Sequence, residues 1–268
     1  MDHAFPDLSV LPVRPPEASK SSKRYAHLHP NLPKVEHGEF GVMVSPVKTG
    51  KSTLISNLLL NPHFFKGCFD LVYIISNTIH NDKTSRFLRE QYPNTCYAQY
   101  TDALMDQIIT YQESFPADER PAFALILDDF IGIKAKAKVF AFATRYRHYN
   151  CKLLLMSTQL FRALPPVARQ NATFAIIGGP NPNGKEVAKL AEEFGDIYDG
   201  PDNWCRLYKY ATREPYSFMY MPLQENPSVA YKGFTDKIYE GRNLVTVDPD
   251  VVAGEPEAAE AADPFAQA

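Results

Sequence analysis

The segment Ser45-Pro-Val-Lys-Thr-Gly-Lys-Ser-Thr53 constrains this chain more than any other. It follows the apolar run Phe40–Val44, read as a buried strand, and leads into Leu54, Ile55, Leu58 and Leu59 at helical spacing. A strand, a tight loop closing on Gly50-Lys51-Ser52 and a helix form the context in which backbone N–H groups converge on a phosphate at a positive helix end. In that geometry the N–H groups of Val47 to Lys51 face a β-phosphate and Lys51 reaches the β- and γ-phosphates. The Ser52 hydroxyl becomes a ligand for magnesium. The expected binding set is therefore Ser45, Pro46, Val47, Lys48, Thr49, Gly50, Lys51, Ser52 and Thr53. Ser45 stands where such loops usually carry their first glycine, and Pro46 stiffens the entry while removing one donor.

A second motif completes the chemistry. Phe123-Ala-Leu-Ile-Leu-Asp-Asp129 is an apolar strand that ends in two acids, and ligands of parallel sheets bind at that strand end. Asp128 is assigned to direct Mg2+ coordination or to holding the ion through a bound water, and Asp129 to orienting and activating an attacking water. A further apolar run, Leu153-Leu-Leu-Met-Ser-Thr-Gln159, ends in polar residues at the corresponding edge, where Gln159 is expected to sense the γ-phosphate or hold the water. These assignments point to ATP and Mg2+ as cofactors and to hydrolysis as the reaction.

Around these motifs, short apolar runs alternate with helical stretches. Strands are expected at Phe40–Val44, Leu71–Ser76, Phe123–Leu127, Lys152–Ser157 and Phe174–Ile177. Helices are expected at Lys51–Leu60, Thr84–Gln91, Asp102–Ser114, Ala135–Tyr146 and Lys185–Phe194. Trp204–Tyr210 and Tyr216–Met221 flank the turn-like Thr212-Arg-Glu-Pro215 and read as an antiparallel hairpin. The fold class is α/β, a P-loop NTPase of RecA/FtsK-like kind: a mainly parallel sheet with helices on both faces and a C-terminal β-hairpin. Residues 1–36, rich in proline, read as a flexible arm, residues 37–224 as the ATPase domain, and residues 225–268 as an extended and acidic tail. Of the 268 residues, 45% are hydrophobic, enough for one large core, and the net charge of -3 leaves no global basic field. The four cysteines show no zinc-ligand spacing and read as free thiols in a reducing compartment. No apolar run has the length of a membrane span, and the N-terminus lacks a secretion-signal pattern, so an intracellular setting is expected.

Three further blocks carry a resemblance. Arg145-Tyr-Arg-His-Tyr-Asn150, the Ser157-Thr-Gln159 strand end, and Leu164-Pro-Pro-Val-Ala-Arg-Gln-Asn-Ala172 follow the Asp-Asp strand in the order found in viral genome-packaging ATPases of the FtsK–HerA superfamily, the poxvirus-type enzymes of large DNA viruses and their smaller relatives. The resemblance runs from about Val35 to Tyr220. It implies a homo-oligomeric ring, a pentamer or hexamer, that hydrolyses ATP at subunit interfaces and drives double-stranded DNA into a preformed capsid. A capsid vertex protein is the implied docking partner, and the host-cell cytoplasm, a viral assembly site or the virion the implied location. A neighbour's arginine would offset charge on the transferred phosphoryl group, with Arg169 and Arg147 as candidates and Arg169 preferred. Lys134, Lys136 and Lys138, at alternate positions after the acids, are candidates for sequence-independent contact with DNA phosphates. Other readings of the same motifs are another FtsK–HerA motor or helicase, a P-loop kinase or GTPase, and a nucleotide-gated scaffold. An Asn-Lys-x-Asp base-reading motif for a GTPase is not found. A scaffold would have no use for the water-positioning pair of Asp129 and Gln159.

Overall fold

A computed structural model describes residues 22–129 and 137–241. Among the described residues nine strands form one sheet in the spatial order β3-β2-β4-β5-β1-β6-β7-β8-β9. They are β1 (Glu39–Val44), β2 (Leu71–Ser76), β3 (Cys96–Tyr97), β4 (Phe123–Asp128), β5 (Cys151–Thr158), β6 (Phe174–Gly178), β7 (Phe218–Pro222), β8 (Val229–Lys232) and β9 (Asp236–Glu240). The helices are α1 (Ser22–Tyr25), α2 (Lys51–Leu60), α3 (Arg86–Gln91), α4 (Asp102–Glu113), α5 (Lys138–Ala143), α6 (Pro166–Asn171), α7 (Gly184–Phe194) and α8 (Pro201–Ala211).

The pairs β3·β2, β2·β4, β4·β5, β5·β1 and β1·β6 are parallel, and β6·β7, β7·β8 and β8·β9 are antiparallel. A parallel sheet covered on both faces explains why its strands read as unbroken apolar runs. Alternation still sorts their side chains between two cores. On one face Phe40, Val42 and Val44 of β1 join Phe123, Leu125 and Leu127 of β4 and side chains of α4 to α8. On the other, Met43, Ala124 and Ile126 pack with Ile55, Leu58 and Leu59 of α2 and Leu88 of α3. Gly41 of β1 lies beside Phe174 of β6 in register, and the Phe174 ring fills the space a Cβ on Gly41 would need.

The structure corrects the expected boundaries in four places. Trp204–Tyr210 is not a strand but part of α8. Trp204, Leu207, Tyr208 and Ala211 are buried at the one-, three- and four-residue steps of a helix face, and Pro201 at its first turn starts the helix. The aromatic content of that segment suggested a strand, but its period is helical. Trp204 stacks on Tyr208 at 5.3 Å and its indole N–H donates to Met221 Sδ at 3.3 Å, so α8 is packed against β7. The helix expected over Ala135–Tyr146 ends at Ala143, and a 3-10 turn follows at Tyr146–Tyr149. Residues 22–36, expected in the arm, bury Tyr25, Leu32 and Val35 against Phe65 and Phe234, and Arg24 is paired with Asp70 at 2.5 Å. Residues 225–241, expected in the tail, supply β8 and β9, with Val229, Ala230, Tyr231, Ile238 and Tyr239 buried. The antiparallel C-terminal part is therefore the three-stranded run β7-β8-β9, and not a hairpin begun at Trp204. Residues 1–21 and 242–268, which hold most of the arm and the acidic tail, lie outside the described residues.

Candidate functional site

The central strand β1 delivers the loop. The Ser45 N–H donates to the Thr158 carbonyl at 3.0 Å, so the β5 ladder holds the chain in line one residue past the strand. The backbone then turns through Lys48 at φ 64° and Gly50 at φ 91°, and α2 begins at Lys51. Both turning points lie in the left-handed region, which costs glycine nothing and explains Gly50. Ser45 is buried, and its hydroxyl meets that of Thr49, which donates to the Pro46 carbonyl at 2.7 Å. The departure from glycine at position 45 is accommodated by Gly178 at the end of β6, because a Cβ there would collide with Ser45 Oγ.

Beside the loop, neighbouring strands bring polar groups to the same edge. Asp128 closes β4 with its side chain only 6% exposed, accepting from Ser157 Oγ at 2.7 Å and from Ser76 Oγ at 3.3 Å. A buried carboxylate needs such partners, since an unsatisfied one is expelled or neutralised. Asp129 follows at φ 56°, a conformation aspartate tolerates better than most residues. That turn carries its carboxylate to Lys51: Asp129 Oδ1 lies 2.8 Å from Lys51 Nζ, while Asp128 Oδ1 lies 3.5 Å away. Gln159 Nε2 donates to the same Asp129 oxygen at 3.1 Å. The four residues expected to act together therefore come from α2, the end of β4 and the end of β5, and they meet in space.

These groups line a cleft of about 430 Å3 with Pro46, Val47, Lys48, Gly50, Ser52 and Thr53 of the loop and α2. Ser52 and Asp128, the residues assigned to magnesium, face the same cleft. Among the described residues no cluster of three or more His, Cys, Asp or Glu forms a ready-made metal cage. That donor set fits Mg2+, which is commonly held by one or two carboxylates together with substrate phosphates and water. Sequence reasoning missed Ser76 and Ser157, which fix Asp128, and Thr78, Asp82, Thr84 and Tyr216, which complete the lining. A signal for the serines existed: the apolar run of β2 ends in Ser76, the register partner of Asp128, and on β5 Ser157 directly follows Met156, the register partner of Leu127.

The remaining expected residues lie elsewhere. Arg169 of α6 donates to Glu193 Oε2 at 2.7 Å and stands 5.0 Å over the Phe161 ring, so it is engaged within its own chain. Its Nε is buried without a partner. Arg147 donates from Nε to the Gly38 carbonyl at 3.0 Å, beside the first residue of β1. It is therefore at the opposite end of the strand from Ser45, roughly 20 Å away at strand rise. Lys138 opens α5 and is paired with Asp106 at 2.6 Å. Lys134 and Lys136 lie outside the described residues.

The sheet order, the loop between β1 and α2 and the acids at the end of β4 define the fold of a P-loop NTPase. The structure is similar to the DNA-packaging ATPase B204 from Sulfolobus Turreted Icosahedral Virus, with a TM-score of 0.50 and 17% identity over 72% of this chain and 95% of that one. The genome packaging NTPase B204 from Sulfolobus turreted icosahedral virus 2, in complex with ATP-gammaS, matches with a TM-score of 0.49 and 20% identity over 72% of this chain and 95% of that one. The cytoplasmic domain of the Type VII secretion ATPase EccC from Thermomonospora curvata matches with a TM-score of 0.46 and 17% identity, over 77% of this chain and 27% of that one. No protein-family profile and no curated protein sequence matches the chain. Among the described residues no helix is long and apolar enough to cross a membrane.

Proposed function

We propose that this chain is an ATPase motor that hydrolyses ATP to move double-stranded DNA into a viral capsid. The observation that carries the hydrolytic part is the meeting of Lys51, Asp129 and Gln159 beside the phosphate loop. A triphosphate seated on the N–H groups of Val47 to Lys51 competes with Asp129 for the Lys51 ammonium. Once Lys51 turns to the β- and γ-phosphates, Asp129 is released to accept the proton of a water attacking the γ-phosphorus, as the bond to the β–γ bridging oxygen breaks. Gln159, already bonded to Asp129, is placed to orient that water. Asp128, fixed by Ser157 and Ser76, is the group to share Mg2+ with Ser52 and the phosphates; the ion would neutralise charge there.

The DNA-packaging part rests on the order of the sequence blocks, with the B204 fold in support. It carries with it a homo-oligomeric ring, a capsid vertex partner and action at the viral assembly site. Arg169 serves a neighbour only if it leaves Glu193, and Arg147 only if the ring brings its end of β1 to the next subunit's cleft.

ATP turnover by the purified protein, with and without long double-stranded DNA and alongside sizing with nucleotide, tests both parts. Turnover stimulated by DNA in a nucleotide-dependent oligomer, lost in Lys51→Ala and Asp129→Asn, is the expected result. DNA-indifferent turnover by a monomer would refute the motor and return the site to a small P-loop enzyme.

A further inference from the structure

The loop that enters β7 carries an aromatic ring that the hydrolytic site does not use. Tyr216 is 70% exposed, the largest exposure among the exposed large hydrophobic side chains described. Its backbone is at φ 63°, a region in which bulky side chains are disfavoured, so the surroundings must hold it there. They do: Ser217 donates from its N–H at 3.2 Å and from its hydroxyl at 2.6 Å to the Glu214 carbonyl. The Ser217 carbonyl accepts from the Gly179 N–H at 3.3 Å, and Lys232 of β8 grips the Glu214 carboxylate at 2.7 Å. The ring is thus presented by a braced turn rather than left loose.

Its position gives the presentation a direction. A Cβ on Gly50 would stand 3.3 Å from Tyr216 Cδ1, so the ring edge rests against the closing glycine of the phosphate loop. Tyr216 also lines the cleft together with Ser52 and Thr53 of α2. In the sheet order, β4 and β5, which carry Asp129 and Gln159, lie on one side of β1, and β6 and β7 lie on the other. A nucleotide whose γ-phosphate points to Asp129 and whose β-phosphate sits on the loop therefore runs its sugar and base toward the β6–β7 side, where Tyr216 offers an uncovered π-face.

We propose that Tyr216 is the nucleobase platform of the site, stacking on the purine of the bound nucleotide; this rests on the nucleotide reading above. Base–aromatic stacking is independent of hydrogen-bond pattern, so the platform favours purines by area rather than reading adenine alone.

The test compares the affinity of the whole protein for ATP with that for inorganic tripolyphosphate, in wild type, Tyr216→Ala and Tyr216→Phe, by calorimetry with Mg2+. Tyr216→Ala is expected to weaken ATP binding roughly five- to 150-fold, the range of one stacked base. Tripolyphosphate binding should stay within about twofold, and Tyr216→Phe should restore ATP affinity. Unchanged ATP affinity in Tyr216→Ala, or an equal loss for ATP and tripolyphosphate, overturns the platform and makes Tyr216 a brace for the loop. If the wild type binds neither ligand, the phosphate cradle itself is refuted, and the platform with it.

Discussion

Lys51 Nζ donates to Asp129 Oδ1 at 2.8 Å, so the cation proposed to meet a triphosphate is held by the carboxylate proposed to activate water. Each is the other's gate. Lys51→Ala should remove triphosphate binding, whereas Asp129→Asn removes Lys51's anionic competitor and should leave ATP affinity equal or tighter. Turnover of Asp129→Asn should fall by about two to four orders of magnitude, the usual contribution of a positioned base. Binding isotherms and steady-state turnover on both variants check this, and a loss of ATP binding in Asp129→Asn would refute the competition.

Ser157 should prove structural. It donates at 2.7 Å to Asp128, whose carboxylate is buried, and Ser157→Ala leaves that oxygen without its nearest partner. The expected loss is about 1–3 kcal/mol of folding stability. Urea denaturation measures it, and Ser157→Thr, which keeps a donor, should recover part of the loss.

Gly41 and Phe174 should be coupled. They are register partners on β1 and β6, and the ring occupies the room of the missing Cβ. Gly41→Ala alone should destabilise the sheet by about 1–3 kcal/mol through overpacking. Adding Phe174→Leu should cost less than the sum of the separate losses, which a double-mutant cycle reads directly.

Glu39 should give the stability curve a definite pH dependence. Burial is the main cause that lifts its carboxyl above the ordinary 4.5, while the Thr173 hydroxyl and the nearby Arg147, His37 and Lys34 charges pull it partly back. A raised value in the fold means that the contribution of this group is full below 4.5 and is lost as pH rises through the folded value. Glu39→Gln should therefore raise the urea midpoint at neutral pH, with the difference from wild type shrinking below pH 4.5. A variant less stable than wild type at neutral pH would show that the ionised carboxylate is worth more than its burial costs.

Much of the site was legible because it is local. Gly50-Lys51-Ser52 turns a strand into a helix within a few residues, and α2 spans Lys51–Leu60 as its periodicity requires. Gln159 and the two acids were placed at strand ends by the same reasoning, although nothing in the string says that they touch. Arg169 shows the limit. Its block marks it as notable, but its ion pair with Glu193 joins α6 to α7 and depends on how those helices pack.

The C-terminal third shows why period outranks composition. Trp204 and Tyr208 are good strand residues, yet their four-residue step places them on one helix face, where stacking on each other and against Met221 outweighs propensity. Short β8 and β9 carry too few residues to announce themselves, and they exist because β7 offers an edge to pair with.

By itself the sequence determined the phosphate loop, the acids and the parallel core, because each is written in a contiguous run whose backbone geometry is set by near neighbours. Only the tertiary structure decided that Gly178 makes room for Ser45, that Ser76 and Ser157 hold Asp128, and that Tyr216 stands at the mouth of the cleft. Those relations join residues far apart in the chain, and they are fixed by strand order and register, which no local pattern encodes.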